Sequence, residues 1–134
     1  MMIFSDGGAR GNPGPAAIAF VILSSEGKVL MTDSRFIGSH TNNQAEYKAL
    51  IAAIESTIEL HAEEVQCHLD SELVTKQVTG EYRVKNSELR KLCNKVRDLI
   101  NCFEKVSFIS VPRSNIYIQK ADALVNEALD QEFG

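Results

Sequence analysis

The stretch QAEYKALIAAIESTIEL, residues 44–60, decides how the fold is read. Tyr47, Leu50, Ile51, Ile54 and Ile58 recur at spacings of three and four, the period of an amphipathic helix. Ala45, Ala49, Ala52 and Ala53 keep that helix slim enough to lie close on a sheet. Nothing before it has this period. Residues 1–6 (MMIFSD) read as a short strand, and residues 7–15, with Gly-Gly, Asn-Pro-Gly and a further Pro, read as a loop. Residues 16–24 carry Ile18, Phe20, Val21, Ile22 and Leu23, a buried-strand composition. Glu26-Gly27 turns the chain, and residues 28–37 pair back as the other arm of a hairpin.

After the long helix the elements shorten and alternate. Residues 65–69 read as a strand ending at Asp70, and residues 71–79 as a short helix stopped by Gly80. A second helix starts at Asn86 or Ser87, with Leu89, Leu92, Cys93, Val96, Leu99 and Ile100 as its buried stripe. Val106, Phe108, Ile109 and Val111 form a strand that Pro112 ends, and Ala121, Leu124, Val125, Ala128 and Leu129 mark a last helix. The order βββαβααβα predicts an α/β protein. Its first three strands pair antiparallel across short turns, and the later strands, each preceded by a helix, pair parallel.

The 134 residues are enough for one core, and residues 1–134 are read as a single domain. No run approaches a membrane span, and the N-terminus lacks the pattern of a secretory signal. The expectation is therefore a cytoplasmic monomer with no membrane association and no evident protein partner. Cys67, Cys93 and Cys102 have no zinc-pair spacing and lie in apolar patterns, so all three are expected to be reduced core residues. A net charge of −4 excludes binding of nucleic acid through bulk positive charge. Contact with a polyanion would need a local basic patch or metal ions.

Four acids stand out. Asp6 and Asp70 sit at the predicted carboxyl ends of strands, where open α/β sheets form their crevice. Glu46 falls in the first turns of the long helix, and Asp122 near the predicted start of the last one. Each has an ordinary use as a turn residue or as a partner of a helix dipole. If the four converge, they offer hard oxygen ligands suited to Mg²⁺ or Mn²⁺. Two such ions about 4 Å apart can activate an attacking water and stabilise the leaving oxygen of an in-line phosphoryl displacement.

The segments around these acids resemble the motifs of a known family. FSDGGARGNPGP (residues 4–15), TNNQAE (41–46), LDSELV (69–74) and ADALVN (121–126) are similar, in order and spacing, to the four motifs of type 1 ribonuclease H. The likeness is to the short form, without the basic protrusion that some relatives insert. It implies a ribonuclease H-like fold, a five-stranded mixed sheet flanked by helices. It also implies an endonuclease that hydrolyses the RNA strand of RNA–DNA hybrids with two Mg²⁺ or Mn²⁺ ions, leaving 5′-phosphate and 3′-hydroxyl ends. The alternative within the same likeness is a nucleic-acid-binding module with weak or no activity. The resemblance maps the catalytic, metal-holding acids onto Asp6, Glu46, Asp70 and Asp122. It maps a DNA-phosphate site onto Asn12, Thr41 and Asn86, and a minor-groove contact onto Asn42, Asn43 and the backbone near Ala9. The same polar residues have structural readings: Asn12-Pro13-Gly14 is a natural turn, Thr41 with Gln44 fits a capping box, and Asn86 can cap a helix.

Residues 76–97 hold half of the Lys and Arg: Lys76, Arg83, Lys85, Arg90, Lys91, Lys95 and Arg97, against Glu81 and Glu88. This segment reads equally as a track for a nucleic-acid backbone or as a solvated helix face. Two places depart from the family pattern. Glu72 stands where relatives often carry a substrate-contacting Gln. The segment 112–120 reads as a lengthened, unusually apolar loop, with Ile118 where relatives place an Asn and with Arg113 as the candidate phosphate contact.

Overall fold

The computed structural model describes residues 1–133. Five strands, β1 (Met2–Ala9), β2 (Gly14–Leu23), β3 (Val29–His40), β4 (Glu64–Leu69) and β5 (Lys105–Ser110), form one sheet in the order β3-β2-β1-β4-β5. Helices α1 (Asn42–Glu59), α2 (Glu72–Val78), α3 (Ser87–Leu99) and α4 (Ile116–Phe133) complete the expected βββαβααβα order. The pairs β1–β2 and β2–β3 are antiparallel, whereas β1–β4 and β4–β5 are parallel.

The period-two pattern of β2 sorts the core onto two faces. Ile18, Phe20 and Ile22 pack with Ile3 and with the apolar stripes of α1 and α3. Ala17 and Ala19 meet Ala121, Val125, Ala128 and Leu129 of α4, and Val21 and Leu23 meet Phe4 and Ile118. A strand covered on both faces reads as a continuous apolar run, as this one does. Thr41 caps α1 as expected. Its hydroxyl accepts from the Gln44 N–H (3.2 Å), and the Gln44 side chain accepts from the Thr41 N–H (2.9 Å).

The structure corrects three expectations. First, Gly7, Gly8 and Ala9 are strand, paired with Ile18, Ala17 and Ala16. Gly7 serves a close approach rather than a turn: a Cβ placed on it would lie 2.2 Å from the Ala45 carbonyl oxygen. Only residues 10–13 make the turn, where Gly11 has φ +103°. Second, the apolar segment before Asp122 is not a long loop. Ile116 to Lys120 open α4, with Asn115 Oδ1 accepting from the Tyr117 and Ile118 N–H groups (3.0 and 3.2 Å). Ile118 is buried against Phe4, Val21 and Leu23, so its apolar character serves helix docking, and Asp122 lies in the second turn rather than at the helix start. Third, Cys67 and Cys93 are buried but Cys102 is exposed, because it falls in the short 3₁₀ turn Ile100–Cys102, beyond the buried stripe of α3.

Candidate metal centre and nucleic-acid surface

The crevice arises where two parallel strands part. Pairing of β1 with β4 ends at Phe4 opposite His68, whose rings stack at 4.4 Å. Beyond that point β1 continues along β2 alone, while β4 ends at Leu69. Two residues further along each segment come Asp6, still within β1, and Asp70, just past the end of β4. Glu46 reaches the same place from α1, whose backbone at Ala45 and Glu46 packs directly on Gly7, and its Oε1 accepts from the Gly7 N–H (3.2 Å). Asp6, Glu46 and Asp70 each offer a carboxylate oxygen within 4.8 Å of the others. Asp122, on exposed α4 surface, borders a hollow with Asp70, Arg113, Ile118 and Gln119.

The electrostatics of this cluster are unfavourable on their own. Asp6 is 6% exposed, and burial pushes its carboxyl up to about 7. Contact with Glu46 opposes this rise, while the charges of Asp70 and Asp122 add to it. Glu46 is raised well above the ordinary range, first by burial, then by the charge and hydrogen bond of Asp6 and by Asp70; the Gly7 N–H works the other way. Both carboxyls are thus held toward their protonated forms, by burial first and by crowding with the other acids second. The one cation paired with any of the four acids among the described residues is Arg113, whose Nε lies 3.3 Å from Asp70 Oδ2. Hard oxygens crowded together and short of positive charge are a donor set that a divalent cation fits.

A rim of neutral polar groups flanks the acids. Ala9 N–H donates to Asn42 Oδ1 (2.9 Å), and the Asn42 N–H donates to Asn12 Oδ1 (3.0 Å), which ties the β1–β2 turn to the start of α1. Asn43 is exposed beside them. Asn86 caps α3, its Oδ1 accepting from the Leu89 N–H (3.0 Å). The starts of α1 and α3 open on one hollow, lined by His40, Gln44, Lys48, Glu88, Lys91 and Leu92. Thr41 and Asn86 thus use their acceptor atoms for capping and keep hydroxyl and amide hydrogens as donors. Arg113, expected as a phosphate contact, is highly exposed and at the same time lies against the Asp70 carboxylate.

The basic segment forms a second concavity, lined by Tyr82, Arg83, Lys85, Arg90 and Arg97 and by no acidic residue. Arg90 donates to the Val84 carbonyl through Nε and Nη2 (3.2 and 3.1 Å), and Arg97 to that of Gln77 (2.9 Å). Glu72 is neutralised by Lys76 (2.7 Å), whose ammonium lies 5.0 Å from the centre of the Tyr82 ring.

Three residues escaped the sequence reading. Gly7 and Ser71 line the acid cleft with Asn42, Glu46, Asp70 and Arg113, and Gln119 borders Asp122. Asp-Gly and Asp-Ser pairs read as turns, and Gln119 becomes an i, i+3 neighbour of Asp122 only once the helix is known to begin at Ile116.

Fold and site together define a class: an α/β protein with a carboxylate centre of the divalent-metal type at the parting of two parallel strands. Residues 4–128 match the family described as "Reverse transcriptase-like". The chain is 42% identical to the protein named Ribonuclease HI of Halobacterium salinarum, over 95% of this chain and 63% of that protein's length. RNase H1 from the halophilic archaeon Halobacterium salinarum superposes with a TM-score of 0.94 at 42% identity, covering 97% of both chains. LC11-RNase H1, solved in complex with RNA/DNA hybrid, superposes with a TM-score of 0.92 at 39% identity, covering 99% of both. The chain belongs to this reverse transcriptase-like family, within its type 1 ribonuclease H group.

Proposed function

We propose that the protein is an endonuclease that hydrolyses the RNA strand of RNA–DNA hybrids, leaving 5′-phosphate and 3′-hydroxyl ends, and that residues 1–134 act as one catalytic domain. The observation that carries this reading is the convergence of Asp6, Glu46 and Asp70 within 4.8 Å at the parted strand ends. The family membership, and the hybrid bound by the similar LC11-RNase H1, support the substrate class.

Asp6, Glu46, Asp70 and Asp122 hold the metal, proposed as two Mg²⁺ or Mn²⁺ ions. When bound, such ions supply Lewis-acid activation of water and charge stabilisation at the leaving oxygen. The raised carboxyls of Asp6 and Glu46 would hold metal in their ionised forms, which the added positive charge favours. Donors on Asn12, Thr41 and Asn86 hold a phosphate of the DNA strand without adding net charge. Asn42, Asn43 and the backbone at Ala9 face the minor groove, where the 2′-hydroxyl separates RNA from DNA. Arg113 contacts a phosphate near the acids. The Tyr82–Arg97 concavity, free of acids, suits the outlying backbone. No helix among the described residues is long and apolar enough to cross a membrane. A cytoplasmic monomer is the simplest setting for this chemistry.

The test offers labelled RNA–DNA hybrid, double-stranded RNA and double-stranded DNA with Mg²⁺ or Mn²⁺. The expected result is cutting confined to, or strongly favouring, the hybrid's RNA strand, and none in EDTA. Equal cutting of double-stranded DNA would overturn the substrate assignment, and hybrid binding without cutting would overturn the activity.

A further inference from the structure

The Asp70–Arg113 pair divides the acid cleft in two. Gly7, Asn42, Glu46 and Ser71 lie on one side, and Ile118, Gln119 and Asp122 on the other, with Asp70 and Arg113 bordering both. The partners are unequal: the Asp70 side chain is 12% exposed and that of Arg113 is 90% exposed. Their contact is a single one from Nε at 3.3 Å, and among the described residues Arg113 donates no other side-chain hydrogen bond. The backbone beneath is held at both ends. Val111 N–H donates to the Leu69 carbonyl and Asn115 N–H to that of Pro112, both at 3.0 Å, and Asn115 caps α4. What can move is the side chain, and an exposed one-point ion pair restrains it weakly.

We propose that Arg113 is an exchangeable counter-ion. It neutralises Asp70 while the cleft lacks a divalent cation and yields Asp70 when one binds. Its freed guanidinium then pairs with a phosphate of the nucleic acid. A guanidinium and a divalent ion on one carboxylate repel each other, and the ion, with oxygens from three residues around it, displaces the single contact. Once released, the planar fork matches a phosphate in two-point geometry. The cation therefore travels from protein to substrate as the site loads, so that Arg113 opposes metal binding alone but favours metal and substrate together. This inference rests on the metal-centre reading above, and its test separates the two.

Mn²⁺ is titrated calorimetrically into the metal-free protein at low salt, without nucleic acid, for the wild type, Arg113→Ala, Asp70→Asn and the double variant. Arg113→Ala is expected to bind Mn²⁺ about two- to five-fold more tightly, the range of an exposed pair. The gain should vanish in the Asp70→Asn background and shrink in high salt. In a second arm, hybrid binding is followed by anisotropy. With Ca²⁺ and substrate verified intact, Arg113→Ala should bind several-fold more weakly than wild type; in EDTA the two should bind alike. Unchanged or weaker Mn²⁺ binding by Arg113→Ala, or a gain that persists without Asp70, would overturn the exchange and leave the metal centre standing. A wild type that binds no Mn²⁺, or binds it equally after Asp70→Asn, would overturn the metal centre itself.

Discussion

The acid cleft and the polar rim beside it are adjacent parts of one surface built on opposite terms. In the cleft, Asp6 is buried and Glu46 half-buried, both with raised proton affinities, and the one ion-paired cation among the described residues is an exposed Arg113. On the rim, Thr41, Asn42, Asn12 and Asn86 are neutral, and each has an acceptor engaged by a backbone N–H. The cleft costs stability and is useful only when something positive enters it. The rim contributes stability before any ligand arrives and needs no rearrangement to offer its remaining donors. The contrast teaches how to separate function from structure here, because removing a cleft acid and removing a rim amide should move stability in opposite directions.

The sharpest break of that contrast is Asp6→Asn. Cleavage should fall by at least ~100-fold, since an anionic oxygen is lost from the metal set. Thermal unfolding in EDTA should show equal or higher stability, and a large loss would mark Asp6 as structural. The pH dependence carries the same sign. A carboxyl raised from 3.8 to about 7 in the folded state favours folding while protonated, a contribution present below pH 4 and lost as pH rises through 7. Metal-free wild type should therefore lose stability between pH 4 and 8 relative to Asp6→Asn, as measured by denaturant titration at each pH.

Gly7→Ala tests the junction between the two regions. A methyl group cannot fit 2.2 Å from the Ala45 carbonyl oxygen, so β1 and α1 must separate. The expected cost is about 3 kcal/mol or more in urea unfolding, with activity lost because Glu46 moves with α1. A nearly wild-type variant would show that the close approach is dispensable.

Asn86→Asp sharpens the rim. Aspartate caps as well as asparagine, so stability should stay within about 0.5 kcal/mol, whereas Asn86→Ala should lose about 1 kcal/mol. Hybrid affinity should nonetheless drop roughly tenfold for Asn86→Asp, because a carboxylate replaces an amide donor facing phosphate. Unchanged affinity would leave Asn86 a cap and nothing more.

The smallest effect belongs to the second concavity. Arg83→Ala or Lys85→Ala should leave stability unchanged and reduce the slope of log affinity against log salt by about one each. Slopes equal to wild type would make Arg83 and Lys85 ordinary solvated residues of the connection between α2 and α3.

How much was legible in the sequence follows from which forces act locally. Periodicity, turn residues and caps are near-neighbour effects, so the element order, the capping box at Thr41–Gln44, the cap at Asn86 and the antiparallel-then-parallel pairing could all be read from residue spacing. The four acids could be nominated through their places in these elements and the resemblance of their surroundings. Tertiary structure alone decided that Gly7 is a strand residue shaved for the α1 backbone, and that Ile118 belongs to a docked helix that begins at Ile116. It also placed Arg113 opposite Asp70 and left Cys102 outside the core. Each of these depends on what approaches from a distant part of the chain, and short-range pattern carries no record of that approach.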